Sequence, residues 1–156
     1  MSADLIRTFY SAFQRCDGPA MAACYHADIV FNDPVFPGLQ GERAGMMWRM
    51  LTAGAKDLKI EFDGGESDGT SGRAHWVATY TFSATGRKVV NDIQASFTFK
   101  DGLIAAHTDV FDFWKWSSQA LGASGMLLGW TPIIRNAVRK QAAAGLDKFI
   151  ERSRGA

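Results

Sequence analysis

The sequence predicts an α+β fold: helices at the N-terminus, an antiparallel sheet through the middle, and an added helical segment at the C-terminus. Three observations carry this. Apolar residues recur at helical spacing up to about Thr52, the period falls to two from Asp57 to Val110, and helical spacing returns after Thr131. At 156 residues, with 47% hydrophobic and 21% charged composition, the chain fits one domain spanning 1–156.

Leu5, Ile6, Phe9, Ala12 and Phe13 make one apolar face of a helix over 3–16, which Asp17-Gly18-Pro19 ends while starting a second, short helix running to about Tyr25. Asp28 to Asp33 reads as a short strand, and Gly41 to Thr52 as a third helix with a pliable apolar surface of Met46, Met47, Met50 and Leu51. From Asp57 the strands show which side faces inward. Leu58, Ile60 and Phe62 alternate with Lys59, Glu61 and Asp63, and after a turn at Asp68-Gly69, Trp76, Ala78, Tyr80 and Phe82 share one face. A two-residue loop at Thr85-Gly86 places Tyr80 opposite Asn91 and turns Val89, Asn91, Ile93, Ala95, Phe97 and Phe99 inward. A three-residue loop at Lys100-Asp101-Gly102 then turns His107, Asp109 and Phe111 inward, whereas a two-residue loop would turn all three outward.

After Phe113, the stretch Ala120 to Trp130 is apolar and broken by Gly122, Gly125 and Gly129, which suits a lid or a dimer contact. Thr131-Pro132 opens a long helix with Arg135, Arg139, Lys140, Lys148, Arg152 and Arg154 mainly away from its apolar side. A basic helix of this kind admits contact with a membrane surface, but a solvated face is the commoner outcome, so the sequence argues against a membrane partner.

The net charge of +1 gives no broad reason to expect nucleic acid. No run reaches the roughly 20 apolar residues that span a bilayer, and the start lacks a leader pattern, so a soluble, cytoplasmic protein is expected. Cys16 and Cys24 offer no disulfide framework and read as reduced, helix-borne residues. No metal-ligand spacing, phosphate loop or dinucleotide fingerprint occurs, so neither metal nor cofactor is expected.

Two carboxylates draw attention. Asp33 lies within Phe31-Asn32-Asp33-Pro34-Val35-Phe36-Pro37, where apolar neighbours raise proton affinity toward a value useful for acid–base work. Its alternative is an Asx-type turn that caps nearby backbone. Asp109 is either a second acid–base group or a buried strand residue paired with His107, and His107 is either a general acid or base or a satisfied core imidazole. Tyr80 and Asn91 could orient a substrate oxygen or satisfy each other. Phe9, Phe13, Met46, Met50, Phe62, Trp76 and Phe111 are the candidate apolar wall, which in a cavity-bearing fold is also the core.

The order of elements, with Phe9-Tyr10-Ser11-Ala12-Phe13, Tyr25 to Phe31, Asp33-Pro34-Val35, Asp101-Gly102-Leu103-Ile104 and His107 to Asp112, resembles the SnoaL-like branch of the nuclear transport factor two-like superfamily. The resemblance covers roughly 3–114 and leaves 115–153 as a C-terminal extension. It implies a cone-shaped, curved antiparallel sheet packed against the N-terminal helices. It also implies a small hydrophobic molecule as partner and cofactor-independent isomerase, cyclase, dehydratase or hydrolase chemistry with Asp33, Asp109 and His107 as catalytic candidates, while the apolar stretch before Thr131 adds a homodimer to the expected partners. Asp33-Pro34-Val35 resembles the segment carrying the general base of ketosteroid isomerase. That enzyme's oxyanion-hole tyrosine and aspartate fall on Phe9 and Ala95, which cannot donate. The segment from His107 to Asp112 is similar to the last strand of limonene epoxide hydrolase, but Val90 stands where that enzyme has an arginine. A ligand-binding module without chemistry and a dimeric interaction domain are the alternatives.

Overall fold

A computed structural model describes residues 2–155. Helices α1 (Ser2–Gln14) and α2 (Gly18–Ala23) precede strand β1 (Tyr25–Asn32), the two-residue strand β2 (Leu39–Gln40) and helix α3 (Glu42–Ala53). Four long strands follow, β3 (Lys59–Ser67), β4 (Ser71–Phe82), β5 (Arg87–Lys100) and β6 (Leu103–Val110), and then α4 (Phe113–Leu121), α5 (Ala123–Leu128) and α6 (Pro132–Gly155). The six strands form one sheet in the order β2-β1-β6-β5-β4-β3. All pairings are antiparallel except β1 with β6, which is parallel.

The local causes are legible. In α1, Ile6, Phe9, Tyr10 and Phe13 repeat at three- and four-residue intervals and are all buried. The helix ends where Cys16 takes φ 54°, and the Asp17 carboxylate then caps α2 by accepting the Ala20 amide, with Pro19 in the first turn. Cys16 therefore sits in a turn rather than in a helix, and is exposed. Strand β1 begins at Tyr25, three residues before the predicted start, and carries buried Tyr25, Ile29 and Phe31.

Both predicted hairpin registers differ from the observed ones, yet the predicted faces hold. The β4–β5 loop spans residues 83–86, so Phe82 faces Arg87, Tyr80 faces Val89, and Asn91 faces Ala78 rather than Tyr80. This displacement is by two residues, and a period of two leaves every side chain on its original face. Between β5 and β6 the loop is the two-residue Asp101-Gly102, with φ 53° and 74°, which favours a tight hairpin of opposite hand. Alone, it would turn His107 and Asp109 outward. A bulge near Ala105 shifts the register by one residue, from Phe99 opposite Ile104 to Thr98 opposite Ala106, and restores them to the interior opposite Phe97 and Ala95.

The core between α1, α3 and the sheet is built from Phe9, Tyr10, Phe13, Phe31, Trp48, Trp76 and Phe97. A second apolar cluster forms where α4 meets the β4–β5 hairpin: Val89, Phe113, Trp116 and Ala120, with Tyr80, Phe82, Val35, Phe111, Ile134 and Val138 packed on it. The stretch expected to be a covering segment is thus helical, and its glycines permit close packing. A Cβ at Gly125 would collide with the Ser117 carbonyl, so α5 can fold back on α4 only with glycine there. Helix α6 continues to α3, where Leu146 and Ile150 are buried and Arg43 pairs with Asp147 at 2.8 Å.

Candidate functional site

Strand geometry sets His107 and Asp109 two residues apart on one face of β6, and both are buried. They belong to a hydrogen-bonded chain that crosses the core. The indole N–H of Trp48 donates to the Tyr25 hydroxyl oxygen at 2.7 Å, the Tyr25 hydroxyl meets His107 Nδ1 at 2.8 Å, and His107 Nε2 meets Asp109 Oδ1 at 2.9 Å. The same carboxylate oxygen accepts the indole N–H of Trp76 at 3.3 Å. A carboxylate oxygen only accepts, so Nε2 of His107 donates to Asp109, and the network holds the imidazole between that carboxylate and the Tyr25 hydroxyl. Phe97 packs on the imidazole with ring centroids 4.4 Å apart, and Phe9 and Phe31 stand edge-on to it.

Asp33 closes the turn after β1. Its Oδ1 accepts the Val35 and Phe36 amides at 2.7 and 2.6 Å, the geometry of an Asx-type cap. Burial nevertheless pushes its carboxyl up from 3.8 to about 6, against the stabilising pull of those amides, and the charge of Asp109 adds to the rise while His107 offsets part of it. The cap and the raised proton affinity therefore coexist in one side chain. Near it, the Tyr80 hydroxyl accepts the indole N–H of Trp116 at 2.8 Å, and burial, with the Asp33 charge, raises the Tyr80 pKa. Arg139 of α6 donates to the Pro34 carbonyl at 2.8 Å, tying the C-terminal helix to the Asp33 turn.

Four residues in this region were not singled out from sequence. Tyr25 and Trp48 extend the network. Tyr10 brings a buried hydroxyl with no hydrogen-bond partner, and its pKa is raised well above 10.0 by burial, then by the charge of Asp109. Arg135 holds its guanidinium 5.6 Å from the Phe113 ring centroid, with a buried Nε that lacks a partner. The helical spacing of Tyr10 marked it as a core residue, but only the register of the sheet brings it beside Asp109.

The apolar candidates distribute unevenly. Phe9, Phe13 and Trp76 are buried in the main cluster, Phe62 stacks on Tyr10 at 5.2 Å, and Met50 and Phe111 pack against the core from its edges. Met46 packs against the same core and also borders a separate hollow of about 850 Å³ between α2, α3, β1 and the end of α6. That hollow includes an edge of Tyr25 but neither Asp33, His107 nor Asp109. His26 and His75 lie on β1 and β4 and pair with carboxylates, His26 with Asp101 at 3.3 Å and His75 with Asp92 at 2.7 Å. Among the described residues, no group of three His, Cys, Asp or Glu side chains is placed to share a metal ion.

The profile of the SnoaL-like domain family matches residues 6–107, about two thirds of the sequence, and the chain belongs to that family. No curated protein sequence matches it. Among solved structures it is similar to a LEH-like epoxide hydrolase of M. tuberculosis, at 19% identity and TM-score 0.61, covering 81% of this chain and 95% of that one. It is also similar to a candidate polyketide cyclase of Pseudomonas putida KT2440, at 22% identity and TM-score 0.65, covering 77% and 98% of the two chains. A protein of ketosteroid isomerase-like fold from Catenulispora acidiphila DSM 44928, in complex with trimethylamine, has TM-score 0.68 at 12% identity, covering 85% and 100%. At these identities the likeness establishes the curved-sheet α+β fold. No helix among the described residues is long and apolar enough to cross a membrane.

Proposed function

We propose that this SnoaL-like chain binds a small hydrophobic molecule beside the Asp33 turn and performs cofactor-independent acid–base chemistry on it. The observation that carries this reading is Asp33 itself, a carboxyl pushed up to about 6 and lying within electrostatic reach of Asp109, His107 and Tyr80. Such a group exchanges a proton near neutral pH. In this reading Asp33 removes or returns the substrate proton. Asp109, held by His107 and Trp76, provides the second acidic group, and the unpartnered Tyr10 hydroxyl donates to a substrate oxygen. An isomerase, cyclase, dehydratase or hydrolase acting on a carbonyl- or epoxide-bearing substrate would use these parts. Descriptions of the similar solved structures as a candidate polyketide cyclase and an epoxide hydrolase support that range.

A second reading, a ligand-binding module without chemistry, is favoured by a specific feature: the aromatic packing around His107 leaves it fully buried, and Asp33 already has a structural task. The two readings part under one experiment. A library of hydrophobic carbonyl compounds and epoxides is screened by thermal shift, and each hit is followed for turnover in the parent, Asp33→Asn and Asp109→Asn proteins. Turnover that either variant abolishes while binding persists supports chemistry. Tight binding with no turnover in the parent overturns it and leaves the binding module.

A further inference from the structure

We infer that the surface formed by α4, α5 and the start of α6 docks on an anionic lipid bilayer, lying on it without crossing. Of the nine large apolar side chains exposed among the described residues, six fall within this one stretch: Trp114, Met126, Leu127, Leu128, Trp130 and Ile133. Trp130 and Ile133 are 71% and 72% exposed. The patch is contiguous, because Trp114 donates its indole N–H to the Met126 carbonyl and Trp130 donates to the Leu127 carbonyl. With both N–H groups bonded inside the protein, the outward parts of the two rings are hydrocarbon and gain nothing from water. A soluble surface rarely concentrates apolar groups this way without a partner.

The charge pattern selects the partner. From Phe113 to Leu146 the sequence holds four basic residues and no acidic one, whereas the rest of the chain holds 13 basic and 16 acidic residues. Lys115 adjoins Trp114, and Arg87, anchored to the Gln119 carbonyl at 2.7 Å, borders the same helix. Docking a second copy face to face would bring together two surfaces on which the exposed bases Arg87, Lys115 and Lys140 outnumber the acid at the edge, Asp112, and like-charge repulsion opposes that. An anionic bilayer supplies both the hydrocarbon for the rings and the counter-charge for the bases. The sequence alone argued against a membrane partner. The fold alters that balance by gathering onto one outward knuckle the apolar residues that had suggested a lid or dimer contact. The inference stands independently of the proposed chemistry.

The test is sedimentation of the full-length chain with vesicles. Binding is expected to phosphatidylcholine vesicles containing about a third phosphatidylserine, at least about tenfold weaker to phosphatidylcholine alone, and weakened by added salt. The exposed-residue variant Leu127→Ser/Trp130→Ser/Ile133→Ser should bind at least about tenfold more weakly with an unchanged thermal melt. If that variant melts differently, Lys115→Glu/Lys140→Glu serves in its place, with the same loss expected on anionic vesicles. Failure of the parent protein to bind anionic vesicles overturns the inference. So does binding that survives in the folded variants, or a lipid-free dimer that the triple variant converts to monomer.

Discussion

The Asp33→Asn substitution isolates the charge of Asp33 from its role in the turn. An Asn side-chain oxygen can accept the same Val35 and Phe36 amides, so the cap survives while ionisation is removed. A folded-state carboxyl moved from 3.8 to about 6 binds its proton more tightly than in the unfolded chain. Between those two values the native state holds more protons than the unfolded state, so stability falls as pH rises through that window. The full displacement corresponds to ~3 kcal/mol, present as a penalty at pH 7 and absent below pH 4. Urea denaturation of both proteins from pH 4 to pH 7.5 measures it. The stability of Asp33→Asn relative to the parent should rise across this range by up to ~3 kcal/mol, since groups common to both proteins cancel. A relative stability that does not change with pH, or an Asp33 carboxyl that titrates near 4 by carbon NMR, would refute the assignment and remove the main support for the proposed chemistry.

Three other substitutions test the packing that positions the site. Gly125→Ala should destabilise the protein by ~3 kcal/mol, seen as a lowered thermal midpoint, because the new methyl meets the Ser117 backbone rather than a movable side chain. His107→Leu should cost ~3–5 kcal/mol in urea denaturation at pH 7, because it strips Asp109 and the Tyr25 hydroxyl of a buried partner. Trp116→Phe retains most of the ring packing and loses the bond to Tyr80, so ~1 kcal/mol is expected in the same assay, and a loss near zero would mean that bond contributes little.

Much of the fold was legible because hydrophobic period reports the side that faces inward, and that information survives errors of register. The β4–β5 loop is two residues longer than its glycine suggested, yet Tyr80, Asn91 and Val89 kept their faces since the displacement was even. Helices α4 and α5 were less legible: Gly122, Gly125 and Gly129 read as breakers, and only the contact with Ser117 shows that Gly125 permits packing instead. Tyr25 and Trp48 stayed hidden for a different reason. Each is an ordinary core aromatic by spacing, and its polar function exists only because β1 runs beside β6 and brings Tyr25 to His107.

The inward aim of Asp109 shows how local chemistry and sheet geometry combine. Asp101-Gly102 favours a two-residue turn, since both positions adopt positive φ, and that turn by itself would present His107 and Asp109 to water. The bulge reverses this by inserting one residue into β6, at the cost of a disrupted ladder. A buried imidazole–carboxylate pair would in turn be costly without the hydrogen bonds from Trp76 and Tyr25. Turn, bulge and indole donors are therefore mutually dependent. Removing the bulge should expel both groups from the core, whereas removing Trp76 would leave them inside with one donor fewer. Asp33 needs no such arrangement, because its two amide partners come from its own turn and hold Oδ1 in place, leaving Oδ2 as the oxygen that takes the proton.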